Sequence, residues 1–338
     1  MSTRSLNMDN GPPRKKTTLA GTPTVDFQEE LIKVRLEGLH MKGIIMAVFS
    51  PFKDDGELNL SIIDDYANYL IREGAAGVFV GGSTGEGVKL SVAERKSLLE
   101  KWVEVVDKRL KVIVHIGSES LCDCKELARH AESCNVDAVA VMPPSYFKPA
   151  SAENLLLYLR ELSLHAPDTR LYYYSLNDQW SLEDFLKLAD KQLPTFCGIK
   201  YSDMCLYKFS NILRYSDEKY DVMYGVDQQL LGGLAMGAKV CVGSTYNYMP
   251  RLTLRMMKAF EIGDIETSRK EQYRSHAVID IVIRYAKPLG GLAGTGKAVM
   301  KFIGIDLGPP RPPEMKVAAD AERELQQELK GIGFFDWN

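Results

Sequence analysis

From Gly43 onward the sequence alternates short apolar runs with longer amphipathic stretches, and this alternation restricts the fold more than any other feature. The runs are Gly43 to Val48, Gly77 to Val80, Val112 to Ile116, Ala138 to Met142, Leu171 to Tyr174, Cys197 to Lys200, Val222 to Tyr224 and Val240 to Val242. Each is short and apolar almost throughout, which is the pattern of a strand buried on both faces. Helical stretches fall between them at 61–73, from Ser91, at 121–133 and at 151–165, and Ser91 with Glu94 three positions later has capping-box spacing. Eight such runs spread over about 220 residues predict an α/β fold of the (β/α)8 TIM-barrel class, because an open doubly wound sheet usually has fewer strands. The expected organisation is a mobile N-terminal extension over 1–38, a barrel over 39–248, and a barrel-closing helix with a C-terminal helical extension over 249–338. In that last region helices are expected at 252–262, 265–285, 295–303 and 314–330. The run Gly308-Pro309-Pro310-Arg311-Pro312-Pro313 must be a turn or an extended crossing.

Composition removes several function classes. A net charge of −3 over 338 residues offers no electrostatic footprint for a nucleic-acid backbone. No apolar run approaches the roughly 18 residues that a membrane helix needs. An apolar signal region is also lacking, which argues against secretion, and the basic run Pro13 to Lys16 is too short to assign as a targeting signal. The six cysteines, at 122, 124, 134, 197, 205 and 241, are too sparse for a disulfide scaffold and read as reduced thiols, so a cytoplasmic location is expected. Cys122 and Cys124 lie two apart on an expected helix and point to different sides, and no histidine pair has His-x-x-x-His spacing. Neither a metal nor a cofactor is expected.

In barrels of this class the chemistry sits at the C-terminal ends of the strands. Those ends carry Ser83 and Thr84, Tyr174, Lys200, Gly225 and Asp227, and Ser244. An ammonium moved into apolar surroundings loses hydration, which favours the neutral amine. A neutral lysine attacks a carbonyl to form a Schiff base. Taken alone, a strand-end lysine reads first as a cation snorkelling to solvent. The loop Gly81 to Gly87 suits an anion, since glycines let backbone N–H groups approach a ligand and two hydroxyls add donors. It contains no basic residue, so a carboxylate is a better guest than a phosphate, although a plain strand-to-helix turn fits the same residues. Tyr172 and Tyr174 share one side of their strand and Tyr173 faces the other, all three by default packing residues. Gly291 to Lys297 has the form of a phosphate loop but continues with Ala298 where a metal-binding hydroxyl belongs. Gly82 to Gly87 lacks the dinucleotide-binding spacing.

Together, Gly82-Ser83-Thr84-Gly85-Glu86-Gly87, Tyr172-Tyr173-Tyr174, Gly198-Ile199-Lys200-Tyr201-Ser202-Asp203 and Gly225-Val226-Asp227 resemble the pyruvate-dependent class I aldolases, the family of dihydrodipicolinate synthase and N-acetylneuraminate lyase. The segments from Gly225 to Leu231, Gly243 to Tyr248 and Gly308 to Arg311 resemble its sialic acid aldolase branch. The resemblance implies a cofactor-free lyase that reversibly splits a sugar acid, N-acetylneuraminate, into pyruvate and N-acetylmannosamine. It implies Lys200 as the Schiff-base amine and Tyr174 as the proton carrier. Ser83 and Thr84 are then expected on the substrate carboxylate, with Ser202, Gly225, Asp227, Gln228 and Ser244 as further substrate contacts. It also implies a homo-oligomer, commonly a tetramer, in which Tyr146 is the candidate to enter a neighbouring subunit's site.

Two departures bear on specificity. Gln228 stands where this branch usually has Glu, so a charged acceptor becomes a neutral amide. After Tyr174 the usual Ile-Pro pair is replaced by Ser175-Leu176-Asn177-Asp178-Gln179-Trp180, about two residues shorter, which is expected either to remodel the pocket or to weaken catalysis. The alternatives are the same imine chemistry on another 2-keto-3-deoxy sugar acid, and a non-catalytic paralogue that binds a sugar acid.

Overall fold

The computed structural model describes residues 36–176, 178 and 180–337, so nearly all of the expected N-terminal extension lies outside the described residues. Eight parallel strands close into a barrel in sequence order: β1 (Gly43–Ala47), β2 (Gly77–Val80), β3 (Lys111–His115), β4 (Ala138–Val141), β5 (Arg170–Ser175), β6 (Phe196–Tyr201), β7 (Asp221–Tyr224) and β8 (Val240–Gly243). Each falls on an apolar run read from the sequence. The ring closes through β1 and β8, paired from Gly43 with Val240 to Met46 with Gly243. Closure leaves no sheet edge unpaired, and helices cover the outer face.

The helices after the first four strands are α1 (Ile63–Arg72), α2 (Val92–Val106), α3 (Leu121–Ser133) and α4 (Ala152–Ser163). At the start of α2 the Ser91 hydroxyl accepts from the Glu94 backbone and the Glu94 carboxylate accepts from the Ser91 backbone, which completes the capping box. Cys122 is exposed and Cys124 buried, on opposite sides of α3. Three helices not individually placed from the sequence follow: α5 (Leu182–Gln192), α6 (Leu206–Ser216) and the short α7 (Leu230–Ala235). After β8 come α8 (Pro250–Glu261), α9 (Ile265–Ala286), α10 (Ala293–Phe302), α11 (Ala319–Gly331) and α12 (Phe334–Trp337). The helix expected from Glu314 begins five residues late. Residues 314–318 form no regular secondary structure after the proline run, and the Glu314 carboxylate accepts from the Ala293 backbone and from Lys89.

The core has two parts. The larger lies between barrel and helices and includes Tyr173, Ile199 and Tyr201. The smaller fills the barrel and includes Ile45, Phe79, Ile113, Tyr172, Tyr174, Cys197 and Val242. The pairing of β5 with β6 is irregular: Leu171 pairs with Phe196 but Tyr172 with Gly198, so Cys197 is an extra residue, a β-bulge. Gly198 is obligatory there, because a Cβ would stand 2.0 Å from the Asp221 carbonyl oxygen and 2.9 Å from the Tyr172 ring. At the N-terminal end the chain is tied to the barrel from Leu36, whose N–H donates to the Pro194 carbonyl at 3.2 Å.

Candidate active site

Beyond the bulge β5 and β6 run in register, Tyr174 opposite Lys200 and Lys200 opposite Met223 of β7. Lys200 therefore stands inside the ring and is only 4% exposed. Its Nζ lies 3.7 Å from the centre of the Tyr174 ring and 4.1 Å from that of Phe79, so aromatic faces replace much of its water. Snorkelling to solvent is thereby replaced by a shielded amine facing a phenol.

Tyr174 Oη lies 3.5 Å from Ser83 Oγ. Burial alone would push this phenol up, but the Lys200 charge and hydrogen bonds from Ser83, Lys200 and Ser202 outweigh it, leaving the pKa below the ordinary tyrosine value. Phe79 and His115 meet the Tyr174 ring edge-on, with centroids 5.9 and 6.1 Å away. His115 Nε2 accepts from the Met142 N–H at 3.2 Å. Burial first, then the positive charges of Arg95 and Lys200, hold its pKa down at about 3, so the imidazole is neutral. Sequence reasoning missed both Phe79 and His115, although strand alternation places them on the inward face near the ends of β2 and β3.

A cavity of about 570 Å³ opens above this cluster. Lys200, Tyr174, Ser83, Thr84, Ser202, Gly225, Asp227, Gln228 and Ser244 all line it, so nine of the ten residues singled out from the sequence meet in one space. Tyr146, the tenth, is not among the lining residues. It is 83% exposed and packs edge-on against the equally exposed Phe147.

Close approaches shape the cavity wall. A Cβ on Gly225 would lie 2.2 Å from Ser202 Oγ, and one on Gly243 would lie 2.2 Å from Asp227 Oδ1. Asp227 is buried, and its carboxylate accepts from the Thr245 N–H at 2.9 Å and hydroxyl at 2.7 Å. Burial raises its pKa against those bonds. Gln228 is exposed, and its backbone carbonyl accepts from His276 Nε2 at 2.7 Å.

After Tyr174, the Asp178 carboxylate accepts from the Tyr173 and Ser175 hydroxyls, each at 2.6 Å. Leu176 of this segment lines the mouth together with Met204, Ile283 and Leu292, and all four are large apolar side chains in contact with solvent. The pocket mouth beside this segment therefore has an apolar rim. Among the described residues, no cluster of three or more His, Cys, Asp or Glu side chains is arranged to hold a metal ion. No helix among them is long and apolar enough to cross a membrane.

The chain resembles known proteins over most of its length. It is 41% identical to N-acetylneuraminate lyase A of Xenopus laevis over 282 residues, which cover 82% of this chain and 91% of that one. It is 38% identical to N-acetylneuraminate lyase of Gallus gallus, over 86% of this chain and 96% of the other. Among solved structures, N-acetylneuraminate lyase of Proteus mirabilis superposes with a TM-score of 0.82 at 36% identity, covering 87% of this chain and 99% of that one. The corresponding lyase of Aliivibrio salmonicida gives 0.83 at 34% identity, over 87% and 97%. Residues 40–332 match the profile of the dihydrodipicolinate synthetase family, and the chain is a member of that family.

Proposed function

We propose that this chain is a class I aldolase that reversibly cleaves N-acetylneuraminate into pyruvate and N-acetylmannosamine. The observation that carries the reading is the Lys200 amine, shielded inside the barrel and 3.7 Å from the Tyr174 ring, at the floor of a cavity lined by hydroxyls and a carboxylate. The kinship with N-acetylneuraminate lyases selects the substrate.

In this reading Ser83 and Thr84 hold the substrate carboxylate, which brings the C2 ketone to Lys200. The amine adds to C2 and water leaves, giving a protonated imine. Tyr174, as phenolate, takes the proton of the C4 hydroxyl. The C4–O electrons become the aldehyde carbonyl, the C3–C4 bond breaks, and its electron pair moves into the imine to give an enamine. Protonation at C3 and hydrolysis then release pyruvate and restore the amine. The lowered phenol pKa suits this role, since a larger fraction is ionised near neutrality. Gly225, Asp227, Gln228, Ser202 and Ser244 would meet the hydroxylated tail.

The reading includes a cytoplasmic homotetramer in which Tyr146 enters a neighbour's site. Its high exposure, together with that of Phe147, leaves an aromatic pair on the surface of one subunit for another to cover. The neutral Gln228 and the apolar rim favour a second reading, in which the same imine chemistry acts on another 2-keto-3-deoxy sugar acid. Incubation with pyruvate and borohydride, followed by peptide mass analysis, is expected to find Lys200 covalently reduced onto the three-carbon acid. An unmodified Lys200 at saturating pyruvate would overturn the assignment. Pyruvate release compared across sugar acids separates the two substrates.

A further inference from the structure

The lysine that completes the phosphate-loop-like stretch, Lys297, lies in α10 and is only 2% exposed. Its Nζ donates to Glu86 Oε1 at 2.8 Å and to the Pro309 carbonyl at 3.0 Å, and sits 4.3 Å from the centre of the Phe52 ring. Glu86 belongs to the glycine-rich turn Gly81 to Gly87, and its side chain has no solvent exposure. The other carboxylate oxygen accepts from the Arg311 N–H at 2.8 Å and from Lys89 Nζ at 3.1 Å. We propose that Lys297, acting through Glu86, is a positioning residue for the turn that receives the substrate carboxylate; the inference rests on the aldolase reading above.

Three features support it. A buried ion pair is costly to desolvate, and an apolar pair of similar size often gives equal or greater stability, so stability alone does not account for one. What the pair does supply is direction. Glu86 is not glycine yet adopts the left-handed conformation, φ 53° and ψ 28°, a region that bonds from outside must hold. Its own N–H donates to the Ser83 carbonyl at 3.1 Å, so the orientation fixed by Lys297 reaches the residue whose hydroxyl contacts Tyr174. The turn is also too tight to adjust freely, since a Cβ on Gly87 would stand 1.8 Å from the Gly81 carbonyl oxygen. Finally, the bonds join distant parts of the chain: the proline-rich crossing contributes Pro309 and Arg311, and Lys89 also reaches Glu314 at 2.8 Å. The C-terminal extension thereby clamps the turn after β2.

The test compares the unaltered protein with Lys297→Met and with the double variant Glu86→Gln/Lys297→Met, using pyruvate as the probe. Half-saturation of borohydride labelling at Lys200 is measured together with kcat and KM for pyruvate release and with thermal unfolding. Lys297→Met is expected to raise half-saturation and KM by roughly tenfold, with kcat within about threefold and labelling complete at saturation, as for loss of uniform substrate binding. The double variant, which buries no unpaired charge, is expected to recover thermal stability while half-saturation stays raised, and it decides the matter if Lys297→Met does not fold. A folded Lys297→Met with unchanged half-saturation overturns this proposal alone. So does a double variant that regains both stability and affinity, because the pair would then be only a strut. Failure of pyruvate to label the unaltered protein overturns this proposal and the aldolase reading together.

Discussion

Tyr172 and Tyr174 stand two residues apart on β5, face the same interior, and have opposite characters. At the lower level Tyr172 donates to Asp221 Oδ2 at 2.7 Å and accepts from the Leu39 N–H at 3.1 Å. Burial and the adjacent Asp221 carboxylate push its pKa well above the ordinary value. One layer higher, Tyr174 faces an ammonium and hydroxyls instead, and its pKa falls. Both rings are buried, at 0% and 6% exposure, and burial pushes both phenols up, so burial does not give the two their opposite shifts. The sign of the neighbouring charge does: the lower end of the barrel holds its phenol protonated as a structural donor, and the upper end prepares its phenol to accept a proton.

The sharpest way to break this contrast is to remove one hydroxyl at a time. Tyr174→Phe is expected to lower kcat for sialic acid cleavage by roughly 10²- to 10⁴-fold, the usual contribution of a positioned acid or base, with little loss of stability. Tyr172→Phe is expected to leave kcat within about twofold but to cost about 1–3 kcal/mol of unfolding free energy, because the buried Asp221 loses a donor. Steady-state kinetics beside urea unfolding of both variants checks the pair, and equal kinetic losses would refute the division of roles.

A second test concerns His115, which shares the upper layer. Its pKa of about 3 in the fold lies below the unfolded value of 6.5, so the unfolded chain binds the extra proton first. Its contribution is fully present above pH 6.5 and is lost as pH falls toward 3. At about 1.4 kcal/mol per pH unit the loss reaches several kcal/mol over that window. His115→Gln should make the decline in urea midpoint between pH 7 and 5 shallower, and an unchanged slope would show that other groups govern it. The smallest effect is expected at Ser83. Its hydrogen bond helps lower the Tyr174 pKa, so Ser83→Ala should shift the acid limb of kcat to higher pH, by about one unit or less. A shift to lower pH would contradict the electrostatic account.

The barrel was readable because strands buried on both faces must be short and continuously apolar, and each of the eight runs became a strand. Seven of the nine lining residues were readable for a related reason: in this architecture the end of a strand is a place, so residues far apart in the chain meet once the ring is assumed, whereas Ser202 and Gln228 came only from the family resemblance. What the sequence hid depends on closure between distant segments. The Lys297–Glu86 contact spans 211 positions, and the local sequence around either residue does not point to the other. Helix α9 and the segment after it supply Ile279, Ile283 and Leu292 to the cavity, which nothing in their own periodicity announces. Asp178 drew no role from the sequence beyond its place in the segment after Tyr174, and is the acceptor for the Tyr173 and Ser175 hydroxyls.

The irregularity between β5 and β6 bears on all of this. Phe196 points outward among the helices, and strict alternation from there would send residue 200 outward as well. The extra residue lets Cys197 and Gly198 both face the axis and reverses the parity of everything that follows, so the nucleophile points in while Ile199 and Tyr201 point out. An odd or even count at one backbone position thus decides whether this barrel has chemistry at its mouth or a stranded cation beneath its helices.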